Sequence, residues 1–307
     1  MVKKEIMQNG PATNGLNGSR IGLIGAGLMG LAMAERLCAG GHDVLGWDIS
    51  SVQRSALSSL GGAVADNSSD VFTRCDHVIL SLPDDDVVSR VLGEAASALH
   101  AGHIVMDTSS GAPDSAAEID RLLAPQGVDY LDATVSGNSE QTRHGEVVMM
   151  VGGSRAAFDK CQELFRLFAK HIIHAGPCGS GSKMKLITNL VLGLNRAALA
   201  EGLVFARSLG LDDEQTLQVL RDSMAYSRIM DAKGEKMVKE DFAPHAKLSQ
   251  HLKDVRLMIE AAAKSNTKLP LSETHRDILM FGEQNGLGQL DNSSIIRAIE
   301  LLRNGSQ

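Results

Sequence analysis

Gly25-Ala26-Gly27-Leu28-Met29-Gly30 places three glycines at the spacing G-x-G-x-x-G, directly after the apolar run Ile21 to Ile24. That spacing suits a pyrophosphate. The first glycine permits a tight turn, the second lets backbone approach the phosphates, and the third lets helix and strand pack closely. The phosphates would then rest on a helix N-terminus, where backbone N–H groups and the helix dipole favour negative charge. A second apolar run, Val44 to Trp47, ends in Asp48. A carboxylate there accepts hydrogen bonds from the adenosine ribose and repels a 2′-phosphate, which favours NAD over NADP. Arg54, on the helix expected next, reads as a solvated side chain. Farther along, Lys185 and Asn189 stand four apart. In a helix they project from one face, one turn apart, while Lys183 points elsewhere. On spacing alone Lys185 reads as a solvated lysine near a helix start.

Other reactive side chains form no such pattern. His100/His103 and His171/His174 are three apart, but no carboxylate pattern completes a metal site, and none is expected. Cys38, Cys75, Cys161 and Cys178 contain no C-x-x-C pair, which points to a reducing compartment rather than to zinc or disulfides.

The elements that would position these residues alternate. Strands are expected at Ile21–Ile24, Val44–Trp47, His77–Leu82, Ile104–Met106, Tyr130–Ala133 and Val147–Val151. Helices are expected at Leu28–Ala39, Val52–Leu60, after Asp84-Asp85-Asp86, at Ala112–Leu123 and at Phe158–Ala169, with His171–His174 closing this half. The three aspartates read as a helix start, where carboxylates complement the dipole. Strand–helix alternation predicts an α/β fold with a doubly wound parallel sheet of Rossmann type. From about Ser182 only helical periodicity continues, beginning with a long helix over Lys183–Leu209. The expected division is a disordered tail over residues 1–19, a dinucleotide-binding domain over 20–180 and an all-helical substrate and dimerisation domain over 181–307.

Composition narrows the class. Of the 307 residues, 43% are hydrophobic, enough for a sizeable core, and only 3% are aromatic, which speaks against base-stacking modules. A formal net charge of −7 is the wrong sign for a nucleic-acid surface. The most apolar stretch, Leu186 to Phe205, carries Asn189, Asn195, Arg196 and Glu201, too polar for a membrane span. A soluble, cytoplasmic protein without nucleic-acid or membrane partners is expected.

Several further segments resemble the β-hydroxyacid dehydrogenase family, over Ile21 to about Leu302. Ile21 to Gly30, followed by Met33-Ala34, is close to the family's cofactor loop. Asp107-Thr108-Ser109-Ser110 occupies the place of its D-x-S-T, and Asp132-Ala133-Thr134-Val135-Ser136-Gly137-Asn138 that of D-A-P-V-S-G-G. Gly176-x-x-Gly179-x-Gly181-x-x-x-Lys185-x-x-x-Asn189 fills every position of G-x-x-G-x-G-x-x-x-K-x-x-x-N. His251-Leu252-Lys253-Asp254 is similar to the segment around K-D-L.

The resemblance implies an NAD(P)-dependent oxidoreductase that moves hydride between a nicotinamide cofactor and a small β-hydroxy acid or its semialdehyde. Lys185 would be the general acid/base. Ser136, Gly137, Asn138 and Asn189 would bind the substrate, with Ser136 and the backbone of the turn on its carboxylate. Residues 25–30, Asp48, the backbone of Leu82-Pro83, Ser110, Lys253 and Asp254 would bind the cofactor. A homodimer or homotetramer pairing through the helical half is implied. Thr134, in place of the family's proline, is expected to loosen its turn, and Asn138, in place of glycine, to add an amide beside the substrate. A Ser-Gly-Asn turn is similar to the glyoxylate and succinic semialdehyde reductases, which tend to use NADPH, against the direction set by Asp48. The alternatives are a non-catalytic NAD(P)-binding interaction protein on the same fold, and an imine or glyoxylate reductase. The intact Lys185–Asn189 pair speaks against the non-catalytic protein and the imine reductase.

Overall fold

The computed structural model describes residues 19–305; the tail expected over 1–19 lies almost wholly outside the described residues. The chain divides into two compact units, one ending at Lys185 and the other beginning at Leu186.

The first unit runs β1 (Ile21–Ile24), α1 (Leu28–Ala39), β2 (Val44–Trp47), α2 (Ser51–Ser59), β3 (Ala63–Val64), α3 (Ser68–Arg74), β4 (His77–Leu80), α4 (Asp85–Glu94), β5 (Ile104–Asp107), α5 (Pro113–Leu123), β6 (Asp129–Ser136), α6 (Ser139–Arg143), β7 (Val147–Gly152), α7 (Arg155–Phe165) and β8 (Ala169–Gly176). The strands form one sheet in the order β3-β2-β1-β4-β5-β6-β7-β8. Strands buried on both faces, such as β1 and β5, read as continuous apolar runs. One apolar cluster gathers Met33, Leu37, Phe158 and Phe165 on strand residues such as Leu23 and Met149. The other gathers Val71, Phe72, Val88, Leu92 and Ile119 on residues such as Leu45 and Val78. Helix starts follow the side-chain chemistry: Asp84 accepts from Val87 N and caps α4, and Pro113 opens α5.

The sheet departs from the wholly parallel expectation at β7, which pairs antiparallel with β6. The ten residues between Ser136 and Val147 include the one-turn helix α6. A parallel crossover needs a dozen or more residues, so the chain turns back. The helix expected over Phe158–Ala169 ends at Phe165, and Ala169 already belongs to β8, which pairs parallel with β7. His103 is a core histidine: its Nε2 lies 3.0 Å from the Phe72 carbonyl, and its Nδ1 accepts from His100 N.

The second unit is helical. The long helix α8 (Ser180–Ser208) begins in the first unit and continues into this one, followed by α9 (Asp213–Asp222), a π turn (Met230–Gly234) leading to α10 (Glu235–Val238), α11 (Leu248–Lys264), α12 (Pro270–Gly282) and α13 (Ile295–Asn304). Its apolar core includes Leu199, Leu203, Leu217, Met237, Leu252, Val255, Leu279 and Ile295.

Candidate active site

The glycine loop is built by close approach. Gly25 has φ +94°, and a Cβ there would lie 2.2 Å from the Ser81 carbonyl oxygen; one on Gly30 would lie 2.0 Å from the Gly25 carbonyl oxygen. Only glycine lets β1, α1 and the end of β4 meet this closely. Gly27 is different: it caps α1 without a side-chain hydrogen bond, and nothing lies within 4 Å of where its Cβ would be. Backbone is thus presented at a helix N-terminus with no side chain of its own over it, the arrangement a pyrophosphate requires. Leu28 and Met29 form the first turn.

Asp48 ties this loop to the end of β2. Its Oδ2 accepts from Ala26 N (2.7 Å) and its Oδ1 from Ser50 N (2.8 Å). Each carboxylate oxygen keeps a further lone pair that a ribose hydroxyl can use. Arg54 is not the solvated side chain expected. Its guanidinium donates to the carbonyls of Asp48 (2.6 Å) and Ile49 (3.1 Å) and so lies along the same turn.

The β4 and β5 ends are pinned together. Leu82 N donates to Ser109 Oγ (2.9 Å), and Thr108 Oγ1 donates to the Leu80 carbonyl (2.7 Å). Asp107 accepts from Ser109 N (2.9 Å) and from the Tyr130 hydroxyl (2.5 Å). Burial pushes its carboxyl up, against the pull of Ser109 and Tyr130. Ser109 is consumed inside the turn, whereas Ser110 and Pro83 are exposed.

The lysine is positioned by residues to which the sequence analysis gave no such role. Asp132 is buried, with Oδ1 accepting from Gly179 N (2.9 Å) and Oδ2 from Ser182 N (2.7 Å). A carboxylate thus anchors the first turn of α8 on β6. Burial pushes this carboxyl up, and the two N–H groups oppose the shift. Thr134 corrects the expectation of a loosened turn. It is buried inside β6, and its hydroxyl proton is shared between the carbonyls of Gly181 (3.1 Å) and Met150 (3.2 Å). Gly181 is obligatory here, since a Cβ would lie 2.2 Å from the Asp132 carbonyl oxygen and 2.6 Å from that of Met150.

So docked, α8 delivers Lys185 to the end of β6, where Nζ donates to the Val135 carbonyl at 2.7 Å. Ser136 and Gly137 follow immediately, so lysine and turn come together across fifty residues of sequence. Lys183 is exposed. The Asn138 side-chain Oδ1 accepts from Gln141 N (2.9 Å), and its backbone N–H donates to Gln141 Oε1 (3.0 Å). It is the N-cap of α6 in a capping box. Asn189 follows Lys185 by one turn on α8. Lys253 is exposed on α11, and Asp254, beside it, accepts from Gln250 Nε2 at 3.3 Å. A separate cavity of the first unit, about 650 Å³, is lined by Asp120, Asp129, Ser154, His174 and Cys178 among others and by none of these site residues.

Comparison with known proteins agrees with this architecture. Residues 20–176 match the family described as the NAD binding domain of 6-phosphogluconate dehydrogenase, and residues 179–299 match the NAD-binding domain of NADP-dependent 3-hydroxyisobutyrate dehydrogenase. The chain is 35% identical to 2-(hydroxymethyl)glutarate dehydrogenase of Eubacterium barkeri, over 92% of this chain and 95% of that one. It is 34% identical to 2-hydroxy-3-oxopropionate reductase of Escherichia coli K12, over 93% and 98%. Among solved structures, Mycobacterium tuberculosis 3-hydroxyisobutyrate dehydrogenase with L-serine superposes with a TM-score of 0.85 at 27% identity, covering 92% of this chain and 99% of that one.

Proposed function

The chain belongs to the β-hydroxyacid dehydrogenase family and is an NAD(P)-dependent oxidoreductase of hydroxy acids or their semialdehydes; from that premise we propose that Lys185 is its proton-transfer residue and a small carboxylate its substrate. The observation that carries this reading is Lys185 Nζ on the Val135 carbonyl, beside Ser136 and Gly137. When bound, the nicotinamide supplies the hydride acceptor or donor. In oxidation the neutral Lys185 amine takes the hydroxyl proton; in reduction its ammonium form returns it. The Ser136 hydroxyl and the Gly137 N–H are assigned to the substrate carboxylate. Asn138 holds the turn through its capping box. Asn189 is assigned to the substrate oxygen, one turn along α8 from the amine. The glycine loop, the Leu82-Pro83 backbone and Ser110 are assigned to the dinucleotide, and the assignment of Lys253 and Asp254 rests on their motif.

NAD is preferred over NADP in this reading, because Asp48 faces the loop with a carboxylate. The test is a screen with both cofactors in parallel. It takes hydroxyisobutyrate, glycerate, threonate, serine and 2-(hydroxymethyl)glutarate forward, and glyoxylate and semialdehydes in reverse. A higher specificity constant with NAD is expected, and Asp48→Ala should narrow the gap. Equal or better use of NADP would make Arg54 the phosphate ligand, and no turnover with any substrate would remove the enzymatic reading.

We propose further that the enzyme is cytoplasmic and oligomeric. Helix α8 is long and apolar enough to cross a membrane. Its exposed apolar residues, Ile187, Val191, Leu192 and Phe205, are assigned instead to contact with a second copy. Extraction without detergent followed by light scattering should give a dimer or larger species; an active monomer, or activity confined to membranes, contradicts this.

A further inference from the structure

The helical unit buries a guanidinium whose Nε and Nη2 find no acceptor among the described residues. Arg196 is 2% exposed, and among the described residues its Nε and Nη2 atoms have no hydrogen-bond partner. These two atoms form the side-on fork by which arginine holds an anion. Arginine cannot escape burial by losing its proton; even with burial pulling it down, its pKa stays at about 10.

Two further buried polar side chains lie close enough to feel the Arg196 charge. His251 and His275 are 6% and 3% exposed, their rings are 5.1 Å apart, and the Nε2 atom of each has no hydrogen-bond partner among the described residues. Both meet the backbone of α8 at Gly193, where a Cβ would lie 2.6 Å from His251 Nε2 and 3.0 Å from His275 Cε1. Gly193 and Arg196 are three residues apart on α8 and therefore share a face. Burial, reinforced by the Arg196 charge, lowers both imidazoles, so each is neutral and has one N–H to donate.

The nearby carboxylates do not answer the guanidinium. Asp291 and Asp254 are close enough to act on Arg196 through space. Asp291, however, already accepts from Lys233 Nζ (2.7 and 2.9 Å), His245 N, Ala246 N, Ser293 N and Ser293 Oγ. Asp254 accepts from Gln250. A buried cation without a hydrogen-bonded counter-charge is costly.

We propose that Arg196, His251 and His275 form an internal binding site for a small inorganic monoanion of halide type, which clamps α8 to α11 and α12. The fork supplies two donors and the charge, and the imidazoles supply one N–H each. This site does not depend on the assignment of Lys185.

Bromide is the probe. Crystals of the full chain grown in sodium bromide should show an anomalous peak at hydrogen-bond distance from Arg196 Nε and Nη2. In solution, replacing gluconate with bromide at constant ionic strength should raise the unfolding midpoint by about 2 °C per tenfold increase above the dissociation constant, the chain unfolding as a whole. That dependence should be absent in Arg196→Met, which removes the charge along with the site. Water alone at the guanidinium, or a bromide response equal in parent and variant, would overturn the site. If Arg196→Met does not fold, the anomalous map of the parent decides.

Discussion

Replacing Lys185 with alanine is expected to cut turnover by at least about a hundredfold, the low end of general acid–base effects, with dinucleotide affinity close to that of the parent. The two effects separate because the cofactor loop at Gly25–Gly30 is built by β1, α1 and β4, whereas Lys185 is held by β6 and the first turn of α8. Lys185→Arg should fail as well, because a guanidinium keeps its proton and cannot act as a base. Oxidation by the parent should accelerate as pH rises, since only the neutral amine accepts a proton, and this step should vanish in Lys185→Ala. Lys183→Ala is the control and should behave as the parent, its side chain being exposed. Steady-state rates and a cofactor titration on the three variants check this. An essential Lys183 would mean that the motif is misaligned; full activity in all three would send proton transfer elsewhere, with Lys253 next in line.

Asp291→Ala should destabilise the helical unit by about 3–5 kcal/mol, the usual consequence of removing one partner of a buried ion pair. Asp291 is fully buried and accepts from Lys233 and from the backbone of residues 245, 246 and 293. Burial pushes its carboxyl up, but Lys233 and the Ser293 and His245 donors together pull it well below the usual carboxylate range. A depressed carboxyl stabilises the fold fully above its unfolded value of about 3.9 and loses that contribution as pH falls toward the folded value. Denaturant melts should therefore show the full gap between parent and variant at neutral pH and a narrowing gap below about pH 4. The double variant Lys233→Met, Asp291→Leu should recover only part of the loss, because it removes both charges but leaves the N–H groups of residues 245, 246 and 293 without their acceptor. A neutral-pH gap below about 1 kcal/mol, the worth of an exposed pair, would show that the pair is not buried in solution.

Much of this protein is legible in local sequence. Apolar periodicity, caps and prolines mark α1, α4, α5 and α8 to within a few residues, because the helix–strand choice depends mainly on near neighbours. Gly25 to Gly30 and Asp48 are legible for the same reason: a strand, a turn and a helix start are contiguous, and their contacts stay within one β-α-β unit. The spacing of Lys185 and Asn189 places both on one helix face.

Other features are decided only when distant segments meet. Ala169 reads as the last residue of a helix until it pairs with Val147, because β8 takes its hydrogen bonds from β7. Thr134 reads as a loosened turn until β6 lies against Gly181, forty-seven residues away, and its hydroxyl becomes a tie. Asp132 reads as one letter of a motif until α8 brings Gly179 N and Ser182 N to its carboxylate. Arg196 reads as a polar interruption in an apolar run, and the tertiary structure buries it with His251 and His275. Backbone propensity and helical period act over a few residues and so can be read along the chain. The partner of a buried polar group is whatever the fold brings within about 3 Å, and sequence spacing carries no record of that distance.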